Sequence, residues 1–266
     1  QLYYSHRLIP WRISLFAKQE SANGWSMAKL GVGFIIAGIF GQGAEYVVRA
    51  LILRFGELAD VGLYTSGYTL AVSYANIVFV AFDADYFPRL SASHHDPERM
   101  NNTINQQIEV GVLLMAPVLT FFVFAMPVIV PLLFSSEFVD AVPMAICASF
   151  FMFFRALALP VAYLALAKGD SHMYMLTELV YDIFIAIAIP YAFKWWGLEG
   201  AGWALSVAGF LDMMLVHVLY GIHYGYRFNF SKMKVYGFLF ICFTVAVITA
   251  LHENPWMKIV TALMLV

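Results

Sequence analysis

VGLYTSGYTLAVSYANIVFVAFDADYFPRLS, residues Val61–Ser91, decides how the rest of the chain is read. From Val61 to Phe82 no residue is charged, and these 22 residues are enough helix to cross the hydrocarbon core of a bilayer. Gly62, Ser66, Gly67, Ser73 and Ala75 are small, which lets a neighbouring helix approach closely. The run is expected to stop on Asp83, Asp85, Pro88 and Arg89, where the helix would emerge into water. The same grammar of apolar run, short polar break and apolar run recurs on both sides. The fold class this implies is all-α, a polytopic transmembrane helix bundle.

Composition agrees. The 266 residues are 62% hydrophobic and only 12% charged, about half the charge of a soluble domain. A net charge of −2 argues against nucleic acid as a partner. Cys147 and Cys242 both lie in apolar runs and read as small buried hydrophobes. No disulfide framework, metal site or other cofactor is therefore expected. The chain opens on Gln1 and closes at Val266, 11 residues into an apolar run. It is expected to be an excerpt of a longer protein.

Apolar runs place spans at about 29–53, 61–82, 104–126, 141–167, 173–193, 200–222 and 235–251. An eighth opens at Trp256 and is cut short, giving about eight. Residues 1–28 allow two readings. One is a helix lying on the membrane surface, with Leu8, Trp11, Leu15 and Phe16 beside Arg7, Arg12 and Lys18. The other is the frayed end of an upstream span plus a linker. With the first segment placed in the cytoplasm, alternation puts ten Lys and Arg on that side and three outside, leaving Arg49 and Arg155 in the membrane. That bias is the positive-inside pattern. No inter-span loop exceeds about 20 residues, so there is no room for a soluble catalytic domain, and an enzyme is not expected.

Function must then be read from the polar residues inside the runs. In the 173–193 run, roughly 15 apolar residues at about −0.4 kcal/mol apiece favour insertion by about 6 kcal/mol, which two acids at about +3 kcal/mol each offset. Glu178 and Asp182, four apart on one face, must face a partner, the protein interior or water. In the first span Gly33, Ala37, Gly41, Glu45 and Arg49 follow at intervals of four. Glu45 and Arg49 either pair within the helix or face a substrate path. Arg155 has no acid within one turn. It needs an interhelical carboxylate (Glu178, Asp182 or Asp212), water or an anionic ligand, and its planar fork suits phosphate. Asp212 follows Ala204 and Ala208 on one face and is a candidate cation or proton site against a structural role. His217 reads as interfacial. His94–His95–Asp96 is a poor metal motif, because consecutive loop residues rarely converge on one ion.

The run GELADVGLYTSGYTLA (Gly56–Ala71) resembles the polysaccharide and O-antigen flippases of the multidrug/oligosaccharidyl-lipid/polysaccharide exporter superfamily. DADYFPRLS (Asp83–Ser91), LLFSSEFVDA (Leu132–Ala141), FFRALALP (Phe153–Pro160), AKGDS (Ala167–Ser171) and GLEGAGWALSVA (Gly197–Ala208) continue the resemblance in order across about 31–224. It implies two six-helix lobes, of which residues 29–223 would be the second. Residues 1–28 would be a cytoplasmic linker and 224–266 an extra helix pair, its second helix truncated. The partner lobe, N-terminal to this one, would be missing. The resemblance further implies ion-coupled flipping of an undecaprenyl-diphosphate-linked oligosaccharide in the bacterial inner membrane. Arg155 and Arg49 would meet the diphosphate, and Glu178, Asp182, Asp212 and Glu45 would serve as cavity or coupling acids. Two other readings compete. A cation-coupled drug exporter of the same superfamily would favour those carboxylates. A membrane glycosyltransferase or ligase would need a large outer loop or a paired acidic motif, and neither is seen.

The alternation makes a direct prediction. Single cysteines at Ser5 and Ser231 should react with an impermeant thiol reagent from the same side of the membrane. Labelling from opposite sides would sink the assigned topology.

Overall fold

The computed structural model describes residues 18–93 and 95–252. Among them every regular element is helical. The α-helices are α1 (Lys18–Phe55), α2 (Leu58–Tyr68), α3 (Ala75–Ser93), α4 (Pro97–Leu133), α5 (Val142–Ala167), α6 (Ser171–Tyr224) and α7 (Met233–Leu251). A π-helical turn, Thr69–Tyr74, joins α2 to α3. Short 3-10 turns at Ser136–Ala141 and Phe230–Lys232 lead into α5 and α7.

The opening stretch corrects one expectation. The helix does not stop at Asp83. It bends by 56° between Leu58–Ala81 and Ala84–Ser93, then runs on through Pro88. The polar residues after Phe82 are thus carried on helix rather than in a loop. The next helix starts from a conventional N-cap. The Asp96 side chain accepts from the backbone N–H groups of Glu98 and Arg99, and Pro97, which has no N–H to satisfy, takes the first position. Asp96 therefore serves α4 as a cap. Helix α1 extends back to Lys18, into the segment expected as a linker, while residues 1–17 lie outside the described part.

Helix α6 has 54 residues, which as one rod would be about 80 Å long. Its ends nevertheless meet. The Tyr224 hydroxyl donates to Asp170 Oδ2 at 2.8 Å, and His223 Nε2 lies 3.3 Å from the same oxygen. The element is a hairpin with legs 171–196 and 198–224. Its turn is Gly197, at φ 65° and ψ −154°, a conformation essentially reserved for glycine. Gly225, at φ 70°, ends the second leg.

The described residues do not show the expected eight spans, and in the count that follows the hairpin α6 stands as a single helix. Five helices among the described residues are long and apolar enough to cross a membrane, six if the bent pair counts as one span. The runs expected at 173–193 and 200–222 lie within the single element α6. The run opening at Trp256 lies outside the described residues.

Helix α5 forms the centre. From Val142 to Phe153 every residue except Pro143 is buried, and α2, α4, α6 and α7 pack around it. The return leg of α6 lies closest. A Cβ on Gly202 would land on the Met144 carbonyl, and one on Gly209 would land on Phe151. Between them the Ser206 hydroxyl donates to the Cys147 carbonyl at 2.6 Å. This is small-residue packing of the kind that brings membrane helices close. Helix α1 uses the same device on the first leg, with Gly33 against Ser171 and Gly41 against Asp182. Large apolar side chains remain on the outer surface, among them Ile39 at 66% exposure, Phe121 at 72% and Ile241 at 62%. Such a surface suits lipid, and the chain is a multi-pass membrane protein.

One end of the bundle is polar and clasped. Asn101 Oδ1 accepts from the Arg227 N–H at 2.7 Å, Asn105 bonds both the Arg227 carbonyl and the Asn229 N–H, and Lys232 pairs with Glu109 at 2.8 Å. Arg89 reaches Gln107 on the same end. The opposite end holds the α6 turn, where Lys194 sits 5.2 Å from the Phe55 ring. Trp195 and Trp196 are exposed beside it.

Asp170 ties the first end together. Burial alone would raise its pKa, but hydrogen bonds from the Met173 N–H and the Tyr224 hydroxyl, with His223 alongside, hold the carboxyl below the usual range. A depressed folded pKa means the stabilisation is present at neutral pH and is lost as pH falls through about 4 and below. Asp170→Ala should cost about 1 kcal/mol at pH 7, with the difference from wild type shrinking on acidification, as measured by thermal unfolding in detergent.

Candidate functional site

The six charged residues singled out in the sequence come together inside the bundle. Helix α1 supplies Glu45 and Arg49, α5 supplies Arg155, the first leg of α6 supplies Glu178 and Asp182, and the return leg supplies Asp212. The small-residue contacts described above set their positions. Gly41 leaves room for the Asp182 carboxylate, whose oxygens would lie 3.7 and 3.8 Å from a Cβ there. Asp182 is only 5% exposed.

Glu45 and Arg49 pair with each other, Arg49 Nη2 to Glu45 Oε2 at 2.8 Å. The other oxygen of Glu45 accepts from the Tyr68 hydroxyl at 3.2 Å. That bond ties α1 to the last residue of α2, immediately before the π-helical turn. Tyr64 stands one turn earlier, its ring 6.2 Å from that of Tyr68.

Arg155 makes no ion pair within 4.0 Å among the described residues. Its guanidinium lies 5.8 Å from the centre of the Phe151 ring, within cation–π range, and Phe151 in turn stacks on Tyr181 at 6.0 Å. Glu178 and Asp212 are both within its electrostatic reach, as are Tyr68 and Tyr174. Asp212 also lines a groove of about 400 Å³ between the two legs of α6, with Tyr181 and Phe184 on the facing leg.

Four buried side-chain polar atoms among the described residues have no hydrogen-bond partner: Arg49 Nε, Arg155 Nε, Asp182 Oδ2 and Tyr226 Oη. Three of the four belong to this cluster. Inside a membrane such atoms are costly, and charged groups there are ordinarily paired or face water or a ligand. The arrangement can attract an anion through Arg155 and a cation or proton through the carboxylates.

Sequence reasoning missed the tyrosines. Tyr64 and Tyr68 on α2, with Tyr174 and Tyr181 on α6, surround the charges and give an apolar wall a polar handle. The available signal was the i, i+4 spacing of Tyr64 and Tyr68 inside an uncharged run.

The described residues form a polytopic helical bundle with a charged, incompletely paired interior. A family model described as a polysaccharide biosynthesis protein matches residues 2–143, just over half the chain. The chain belongs to that family, which is of the flippase type. Neither the curated proteins nor the solved structures yield a match.

The Tyr68–Glu45 bond carries a prediction. Tyr68→Phe should lower stability by about 1 kcal/mol, and Arg49→Ala should lower it further because it strands the Glu45 carboxylate. Thermal unfolding of the detergent-purified protein measures both. Equal or higher stability in Arg49→Ala would show that the pair does not hold α1 in place.

Proposed function

We propose that this chain flips a lipid-linked oligosaccharide, carried on undecaprenyl diphosphate, across the bacterial inner membrane for O-antigen or surface-polysaccharide synthesis. Membership of the polysaccharide biosynthesis family and the multi-pass helical fold support export over catalysis. In this reading residues 29–223 form one lobe of a two-lobed transporter, and a preceding lobe of the same protein completes the cavity. Residues 1–28 form a cytoplasmic linker and 224–266 an additional helix pair. The clasped end rich in Arg and Lys faces the cytoplasm, in keeping with the positive-inside pattern.

The observation that carries the proposal is the unpaired Arg155. Its guanidinium lies inside a membrane bundle, without an ion pair among the described residues and with its Nε unsatisfied. Diphosphate is a partner that a planar fork can hold bidentately. Arg49 is the second basic group, but its pairing with Glu45 ranks it below Arg155 as a phosphate contact. Glu178, Asp182, Asp212 and Glu45 supply the acids that would couple transport to a proton or metal-cation gradient. Asp182, with one oxygen unsatisfied, is the foremost of them. Alternating access then consists of this lobe rocking against its partner.

The test is a surface-polysaccharide complementation assay with membrane abundance measured in parallel. Arg155→Ala should abolish export while leaving abundance unchanged. Arg155→Lys should retain only partial export, because it keeps the charge and loses the fork. Export that falls only in proportion to lost protein would assign Arg155 a structural role, and normal export by Arg155→Ala would dismiss the proposal.

A further inference from the structure

Three elements meet at the end of α2. Tyr68, its last residue, stands immediately before the π-helical turn Thr69–Tyr74. The Tyr68 hydroxyl donates to Glu45 Oε1 at 3.2 Å and so fastens α2 to α1. Tyr68 is also within electrostatic reach of Arg155 on α5, the helix against which the π turn packs. Tyr68, Glu45, Arg49 and Arg155 are all only partly buried, so the junction is not sealed. A π turn is rare and commonly marks a functional site.

Hydrogen-bond valence limits what this junction can do when an anion reaches Arg155. A tyrosine hydroxyl has one proton to donate, so Tyr68 can serve Glu45 or an oxygen of the anion, not both. Arg49 stands on the other side of Glu45. Its Nη2 donates to Glu45 Oε2 at 2.8 Å, while its Nε is buried without a partner. Nε and Nη2 share an edge of the guanidinium that can form a fork with a carboxylate. The oxygen needed to complete that fork is Oε1, the one held by Tyr68. Two arrangements therefore exclude each other. In the one observed, Tyr68 holds Glu45 and Arg49 Nε goes without. In the other, Tyr68 turns to the anion and Glu45 closes on both nitrogens of Arg49.

Resting on the assignment of Arg155 as the diphosphate contact, we infer that Tyr68 couples substrate binding to helix α1. A phosphate oxygen arriving at Arg155 takes the Tyr68 hydroxyl from Glu45 and unfastens α2 from α1 beside the π turn. The exchange is nearly balanced, because Tyr68 trades one charged acceptor for another and Arg49 Nε gains the partner it lacks.

The experiment uses the purified full chain in lipid nanodiscs, with farnesyl diphosphate as probe and farnesol as the control without phosphate. Infrared difference spectra, bound minus free, should show a carboxylate band that farnesol does not produce and that Glu45→Gln lacks, which assigns it to Glu45. Tyr68→Phe should lack it too, because its Glu45 is already free to close on Arg49. The affinity of Tyr68→Phe for the probe should stay within about threefold of wild type, since one bond is traded for another. Its export in the complementation assay should fall about tenfold, the worth of one hydrogen bond to a charged group. Glu45→Gln, which cannot form the fork, should show the same split between binding and export. Circular dichroism checks that the variants remain folded. No Glu45 band in the wild type, a band that persists in Tyr68→Phe, normal export by both variants, or affinity and export falling together would overturn the coupling role and leave the assignment of Arg155 standing. Absence of probe binding, or binding unaffected by Arg155→Ala, would overturn that assignment and the coupling role with it.

Discussion

The close approach of the α6 return leg to α5 is the constraint on which the interior depends. Gly202 and Gly209 have no side chain to hold the two backbones apart, and Ser206 spends its hydroxyl on the Cys147 carbonyl. Helix α5 is thereby shut in along most of its length, and its one charged residue, Arg155, is carried inward with it. A wider interface would admit lipid beside α5, and Arg155 could then reach out to the interface as long basic side chains do. Close packing denies it that escape. The same logic holds on the other side, where Gly41 gives Asp182 its space and Gly33 lets α1 touch Ser171. The charged cluster is thus a product of small residues as much as of charged ones.

The cluster is asymmetric in how well it is satisfied. Its α1 portion is nearly self-contained, with Glu45 shared between Arg49 and Tyr68. Its α5 and α6 portion is not, since Arg155 leans on an aromatic face and Asp182 has an oxygen without a partner. An internal ion pair stabilises only when its geometry is good and its remaining valences are met. The first portion comes nearer to that standard, with only Arg49 Nε left unsatisfied, and reads as scaffold. The second falls short of it and reads as the part that awaits something polar.

Much of this was legible in the sequence because a membrane imposes simple arithmetic. The runs at 141–167 and 235–251 correspond closely to α5 and α7. The six charged residues were visible because each is an expensive exception in an apolar run. The intrahelical Glu45–Arg49 pair was one of two open readings, and its spacing of four is the reason it formed. Boundaries were less legible. Helix α3 passes Asp83 and Pro88, because helical geometry can continue through residues that composition assigns to water. The hairpin in α6 was read as two spans with a polar break between them. Its turn is instead a single glycine, and the ends are tied by Asp170 and Tyr224, 54 positions apart, a contact no local pattern encodes. The tyrosines around the charges were invisible for a similar reason. They look like ordinary aromatic filling until the fold shows what their hydroxyls touch.

The single-residue turn at Gly197 also bears on the order in which the protein is made. The first leg of α6 carries Glu178 and Asp182, and its gain on entering lipid is close to cancelled by them. The return leg follows after one residue and brings no Lys or Arg between Gly197 and Tyr224. Neither the acids nor the turn can be settled by the first leg alone. The two legs gain most by entering the bilayer together, as one helical hairpin against an α5 already in place, and Asp170 can close the base only once Tyr224 has been synthesised.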